Sequence, residues 1–192
     1  MTRRLYWVRH GPTHQKTFTG WRDVPADLSD VDAIARLDAF LPDRAPVVSS
    51  DLVRAITTAD ALQGTRPRLA HQPALREFDF GHWDGLHHSE VAMRDPHLSR
   101  LFWEKPGDVA APGGESWNAV AGRVAPAIDT LWTASHDDLI AVAHFGVILC
   151  HLSAATGLTP YKALGHKIDN LSVTVLVQEG AHWVAERINH TP

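Results

Sequence analysis

Two histidines in this chain directly follow short apolar runs. His10 comes after Leu5-Tyr6-Trp7-Val8-Arg9, and His144 after Leu139-Ile140-Ala141-Val142-Ala143. Each opens a glycine-containing turn, His10-Gly11-Pro12 in the first case and His144-Phe145-Gly146 in the second. An apolar run that stops at turn residues reads as a buried strand delivering its next side chain to the carboxyl edge of a sheet. That edge is where open α/β sheets bind ligands. A single histidine there is equally compatible with a ring satisfied by backbone groups. Two of them, with Arg9 beside the first, narrow the chemistry. A neutral imidazole nitrogen serves as nucleophile or base near neutral pH, and a planar guanidinium fork matches the oxygens of a phosphate.

Arg54 and Glu77 extend the set. Arg54 falls in the first turn of a helix expected to be capped at Ser50-Asp51, where a cation opposes the helix dipole. Pairing with Asp51, three residues earlier, accounts for it; so does gripping an anion together with Arg9. Glu77 lies in Leu75-Arg76-Glu77-Phe78-Asp79-Phe80-Gly81-His82-Trp83-Asp84-Gly85. A carboxyl among apolar rings holds its proton to higher pH and suits a general acid. Asp79 and Asp84 compete with it for that role.

The elements that must position these groups follow from periodicity. Strands are expected at 5–8, 47–48 and 139–143, with a strand edge and a turn within 68–77. Helices are expected at 29–41, capped by Ser29 or Asp30, and from 50 to about 62. The stretch 78–114 reads as loops with short helices at 89–93 and 98–103. A long helix is expected at 115–135, kinked or split by Pro126, and another at 147–156, stopped by Gly157. A terminal hairpin pairs 172–177 with 182–188 about Glu179-Gly180. Alternating strands and helices imply an α/β class, a three-layer α/β/α sandwich around a mostly parallel sheet, with residues 1–192 as one domain.

Bulk properties remove other classes. Lys and Arg number 18 against 22 Asp and Glu, a net charge of −4, so no general electrostatic case exists for nucleic acid or an anionic membrane. The single cysteine, Cys150, suits a reducing compartment. With neither a signal-like stretch nor a spanning segment, the expectation is a cytoplasmic protein. Of the 13 histidines, His82, His87 and His88 with Asp84 and Glu90 invite a metal-hydrolase reading, yet no pair has a recognised helical ligand spacing. A non-catalytic phospho-ligand module would keep Arg9 and Arg54 without needing His10 or Glu77. Most of the seven tryptophans belong to the core. Thr19, Gly20, Trp21 and Trp83 lie in the expected site loops and are candidate substrate contacts.

Taken in order along the chain, these blocks resemble the histidine phosphatase superfamily, also called phosphoglycerate mutase-like. The resemblance rests on Arg9-His10-Gly11-Pro12-Thr13 and on Phe18-Thr19-Gly20-Trp21-Arg22-Asp23. It continues with Ser49-Ser50-Asp51-Leu52-Val53-Arg54-Ala55, the Glu77–Gly85 stretch, Pro112-Gly113-Gly114-Glu115-Ser116 with Arg123 downstream, and His144. It implies that His10 takes a phosphoryl group from a small phosphomonoester, its other ring nitrogen held as a donor to a backbone carbonyl. Arg9, Arg54 and His144 surround the phosphoryl oxygens, and Glu77 protonates the leaving alcohol and then activates water. Neither a metal nor another cofactor is implied. The rings of His10 and His144 should then lie within about 8 Å of each other, close enough to share one phosphate.

Departures from the family favour phosphatase over mutase. Phe80 and His88 stand where the mutases carry a Tyr and a Lys, and the chain is short for their extra substrate-binding segment. Lys16 stands near the usual Asn of the first loop. Pro12 replaces a common Glu and removes a backbone donor, and Phe145 replaces a small residue and narrows the pocket. The substrate stays open among α-ribazole phosphate, sugar phosphates and a broad range of monoesters. The oligomeric state is likewise open.

Overall fold

A computed structural model describes residues 2–134, 138–180 and 182–192. The apolar runs pair into one sheet of five strands: β1 (Arg4–Arg9), β2 (Val47–Ser49), β3 (Leu139–Ala143), β4 (Val173–Glu179) and β5 (His182–His190). The spatial order is β2-β3-β1-β4-β5. β1 and β2 both run parallel to β3, and β4 runs antiparallel to its neighbours β1 and β5. Four of the five strands therefore point the same way, as the alternation of elements predicts.

The side-chain period of two sends alternate residues of each strand to opposite layers. Leu5, Trp7, Leu139 and Ala141 pack on one face with Val124 and Ile128 of α5 (Trp117–Ala134) and Ile148 and Leu149 of α6 (Phe145–Thr156). Val8, Ile140 and Val142 pack on the other face with Leu37 of α1 (Val31–Phe40) and Ala55, Ala59 and Leu62 of α2 (Val53–Gln63). These make the three layers. The short helices α3 (His88–Arg94), α4 (Pro96–Glu104) and α7 (Pro160–Leu164) border the α5–α6 layer. Among the described residues no helix is long and apolar enough to cross a membrane.

Several boundaries differ from expectation for identifiable reasons. α2 begins at Val53 and has no side-chain cap from Ser50 or Asp51. Instead Val53 N–H donates to Asp23 Oδ1 at 2.7 Å, so a carboxylate from the first loop takes the place of a local cap. Pro126 does not split α5, which runs on through it. Gly122 and Pro126 both face solvent, so the carbonyl that loses its helical donor meets water. The end expected at Ser135 lies outside the described residues. α6 starts two residues early, with His144 at its N-cap, and stops at Gly157 in the left-handed region as expected. The 68–77 stretch contributes one bridge, Val47 with Arg68, and a 3-10 turn, Pro73–Leu75.

Candidate active site

Because β1 and β3 are parallel neighbours with Arg9 opposite Ala143, the residues that follow them emerge side by side. The ring centroids of His10 and His144 are 5.0 Å apart, inside the limit set by sharing one phosphate. The backbone at His10 is fixed from three directions. Its N–H donates to Ala143 O at 3.0 Å, its carbonyl accepts from Asn170 Nδ2 at 2.8 Å, and the next N–H, of Gly11, donates to Thr58 Oγ1 at 3.0 Å.

The partners of each ring assign its tautomer. His10 Nδ1 lies 2.7 Å from Gly11 O; a carbonyl only accepts, so Nδ1 carries the hydrogen and Nε2 keeps its lone pair. His144 Nδ1 receives Arg54 Nε at 3.3 Å; a guanidinium only donates, so the hydrogen of His144 sits on Nε2. That Nε2 is buried and has no protein partner. Burial, reinforced by Arg54 and Arg9, pushes the pKa of His10 down to about 3 against the opposing bond to Gly11. Burial and Arg54 likewise hold His144 well below the ordinary histidine value. Two neutral rings of opposite function thus meet, His10 offering a lone pair and His144 an N–H.

Arg54 is almost fully buried. Beyond His144, it donates to Arg22 O at 2.9 Å and Gly20 O at 2.6 Å. Pairing with Asp51 does not account for it, since both Asp51 oxygens are taken by Arg76, at 2.7 and 2.6 Å. Arg9 donates through Nη1 to Ile168 O, and its buried Nε has no protein partner. Burial lowers the pKa of both guanidinium groups, which nevertheless stay charged.

Glu77 arrives from a loop. Its carboxyl accepts from Phe78 N–H at 3.0 Å and from Gly146 N–H, in the first turn of α6, at 3.1 and 3.2 Å. Only glycine permits this approach at 146, because an added Cβ would lie 2.4 Å from Phe78 Cδ2 and 2.5 Å from Glu77 Oε1. Burial raises the Glu77 pKa, with the two N–H bonds and the two arginines pulling the other way. Arg123 holds the loop. It donates to the carbonyls of Ala74, Arg76 and Glu77 at 2.7–2.9 Å and pairs with both oxygens of Glu115. The rival carboxylates have other tasks. Asp79 accepts from Gly81 N–H, and Asp84 accepts from the N–H groups of Gly20 and Arg22 and from Arg22 Nε.

Arg9, His10, Arg54 and Glu77 line a cleft of about 340 Å³ that Thr19 also borders. The other expected substrate contacts fall elsewhere. Gly20 acts through its carbonyl on Arg54, in a position where a Cβ would meet Phe78 O at 2.4 Å. Trp21 donates to Glu77 O at 2.8 Å and lies beneath the Arg76 guanidinium. Trp83 is a correction: it is fully buried, packed on Phe102 with its Nε1 on Asp95, because an indole in this aromatic cluster gains more from the core than from solvent. The histidine-rich stretch builds structure as well. His87 and Glu90 form a capping box at α3, and His88 packs at a tilt against Phe18, ring centroids 4.4 Å apart. Among the described residues no three His, Cys, Asp or Glu side chains group as metal ligands. Asn170, which donates to the His10 carbonyl, escapes a reading of the sequence, since a polar residue before a strand looks like any other turn residue.

Residues 5–191 match the sequence model of the histidine phosphatase superfamily, branch 1. Over 175 residues the chain is 37% identical to glucosyl-3-phosphoglycerate phosphatase from Mycolicibacterium vanbaalenii, covering 81% of this chain and 75% of that protein. A 2,3-bisphosphoglycerate-dependent phosphoglycerate mutase from Methylorubrum extorquens is 31% identical over 138 residues, or 66% of this chain and 65% of the mutase. Among solved structures, mycobacterial glucosyl-3-phosphoglycerate phosphatase in complex with inorganic phosphate superposes with a TM-score of 0.83 at 29% identity, covering 98% of each chain.

Proposed function

The chain belongs to the histidine phosphatase superfamily, branch 1, and on that footing we propose that it hydrolyses a small phosphomonoester through a phosphohistidine on His10. The observation that carries this reading is the opposed pair of tautomers 5.0 Å apart. The lone pair of His10 Nε2 attacks phosphorus while the bond from phosphorus to the ester oxygen breaks. Glu77, whose burial favours the protonated form, gives its proton to the departing alkoxide. His144 Nε2–H and the guanidinium groups of Arg9 and Arg54 hold the phosphoryl oxygens as charge develops on them. Water then attacks the phosphohistidine, Glu77 takes a proton from that water, the phosphorus–nitrogen bond breaks, and inorganic phosphate leaves. In the product state His10 and Glu77 have their starting protonation.

The name of the Mycolicibacterium relative supports a phosphorylated sugar derivative as one candidate substrate. Phosphoryl transfer of the mutase type is the second reading, raised by the Methylorubrum relative. Phe80 and His88, which replace the mutases' Tyr and Lys, both border the cleft and weigh against it. One domain over 1–192, a cytoplasmic location, and a small-molecule partner in place of nucleic acid or membrane belong to the same reading. The cations it needs are the half-buried Arg9 and the buried Arg54, not a surface patch. The test is turnover of p-nitrophenyl phosphate after exhaustive chelation. Activity should persist in EDTA; loss in EDTA with restoration by zinc or manganese would replace this reading with a metal hydrolase.

A further inference from the structure

The leaving-group side of the cleft differs in character from its floor. Arg9 and Arg54 supply the permanent positive charge among the described residues that line the cleft, and both sit at the phosphoryl end beside His10. Phe80, Trp103 and Phe145 also line the cleft, the Phe145 ring with its centroid 5.7 Å from the Arg9 guanidinium. The same three side chains, with Glu77, also border a second, smaller hollow of about 30 Å³, whose remaining walls include Phe102, Trp117 and Leu164. Glu77 is thus the one ionisable group shared by a polar floor and an apolar recess. An ester oxygen placed to receive its proton directs the carbon skeleton of the alcohol toward the rings. A carboxylate or second phosphate on that skeleton would lose hydration there, and Arg9, the cation beside Phe145, is already engaged by the phosphoryl group. An alkyl or aryl group gains by leaving water, and flat rings gain by stacking on Trp103 and the two phenylalanines.

We infer that the preferred substrate is the phosphate ester of an uncharged alcohol with an apolar or ring-bearing face beside the ester oxygen, seated on Phe80, Trp103 and Phe145. This rests on the phosphatase reading above and narrows it; an anionic leaving alcohol such as phosphoglycerate is disfavoured. Phe80 and Phe145, two of the departures from the family pattern in the sequence, are then the residues that set specificity.

The experiment compares kcat/KM for 2-phenylethyl phosphate, ethyl phosphate and 3-phosphoglycerate, whose leaving groups are all alkyl alcohols that need a proton. Phenylethyl phosphate should exceed ethyl phosphate at least about tenfold, the discrimination a hydrophobic pocket commonly gives, and 3-phosphoglycerate should fall at or below ethyl phosphate. Equal values for the first two, or 3-phosphoglycerate as the best of the three, would overturn the inference. Trp103→Leu should reduce the phenylethyl-to-ethyl ratio at least about threefold; an unchanged ratio in a folded variant would also overturn it. p-Nitrophenyl phosphate separates the two levels. If it is hydrolysed while the alkyl preference fails, this inference falls and the phosphatase reading stands; if no ester is hydrolysed, both fall.

Discussion

His10 and Glu77 are 6% and 7% exposed, equally sealed from water, yet they are held by unlike means. His10 is the continuation of a central strand. Its position comes from the register of β1 on β3 and from bonds to the backbone of Ala143 and Gly11. Glu77 sits on a loop without regular structure. Its place comes from distant side chains: Arg123 with Glu115 behind the loop, Trp21 on its carbonyl, and the bare backbone of Gly146 against its carboxyl. The His10 half of the site, the proposed nucleophile, is therefore built by the sheet, and the Glu77 half, the proposed acid, by a few replaceable contacts. Removing a chemical group should damage either half, whereas removing a support should damage the acid half alone.

The largest effect expected is that of His10→Ala, which takes away the attacking nitrogen. Turnover of every ester should fall to background, a loss of roughly 10⁴-fold or more, as for other nucleophiles. Glu77→Gln comes next and splits by substrate. Ethyl phosphate, whose alkoxide needs a proton, should lose about 10²–10⁴-fold in kcat, the usual share of general acid catalysis. p-Nitrophenyl phosphate should lose far less. Equal losses on the two esters would move the acid role to Asp79 or Asp84. Arg123→Met tests support against chemistry. With three loop carbonyls released, ethyl phosphate turnover should drop about 10–10²-fold, the scale set by an ångström of misplacement. Hydrolysis of p-nitrophenyl phosphate and the thermal midpoint should change little by comparison. A variant that slows both esters alike would show that the loop serves binding in general.

Proton linkage separates the halves with the smallest expected effect. His10, at about 3, and the core histidine His151, at about 4, stay neutral in the folded chain where an unfolded histidine, near 6.5, takes a proton. The unfolded state then binds more protons, so stability falls as pH drops from about 7 toward 4. Glu77 has the opposite sign: its raised pKa means the folded state keeps a proton the unfolded state has lost, and that contribution fades as pH rises through the folded value. His151→Gln should flatten the acid side of a plot of thermal midpoint against pH while leaving p-nitrophenyl phosphate turnover in place. In wild type, ethyl phosphate hydrolysis should show an alkaline fall that is absent from Glu77→Gln.

The same division governs how much could be read from the sequence. The strand-end histidines were legible because an apolar run, a histidine and a glycine turn are contiguous, and parallel pairing then places His10 and His144 together. The sheet and the α6 stop at Gly157 were visible for the same local reason. Trp83 was misplaced because a tryptophan beside the acid looks the same in sequence whether it faces the cleft or the core, and here Phe102 and Asp95 decide. The cap of α2 was misassigned because its acceptor, Asp23, lies 30 residues away. The role of Arg123 was hidden likewise: its loop partners are 46–49 residues distant along the chain.

The most direct measurement is to quench the enzyme during turnover, digest it, and locate the phosphoryl group by mass spectrometry under neutral to alkaline handling that preserves phosphohistidine. The phosphoryl group is expected on His10, labile to acid and absent from His10→Ala, and it should accumulate in Glu77→Gln with p-nitrophenyl phosphate, where formation outpaces hydrolysis. A phosphoryl group on another residue, or a phosphoenzyme still forming in His10→Ala, would contradict the assignment of His10 as the nucleophile.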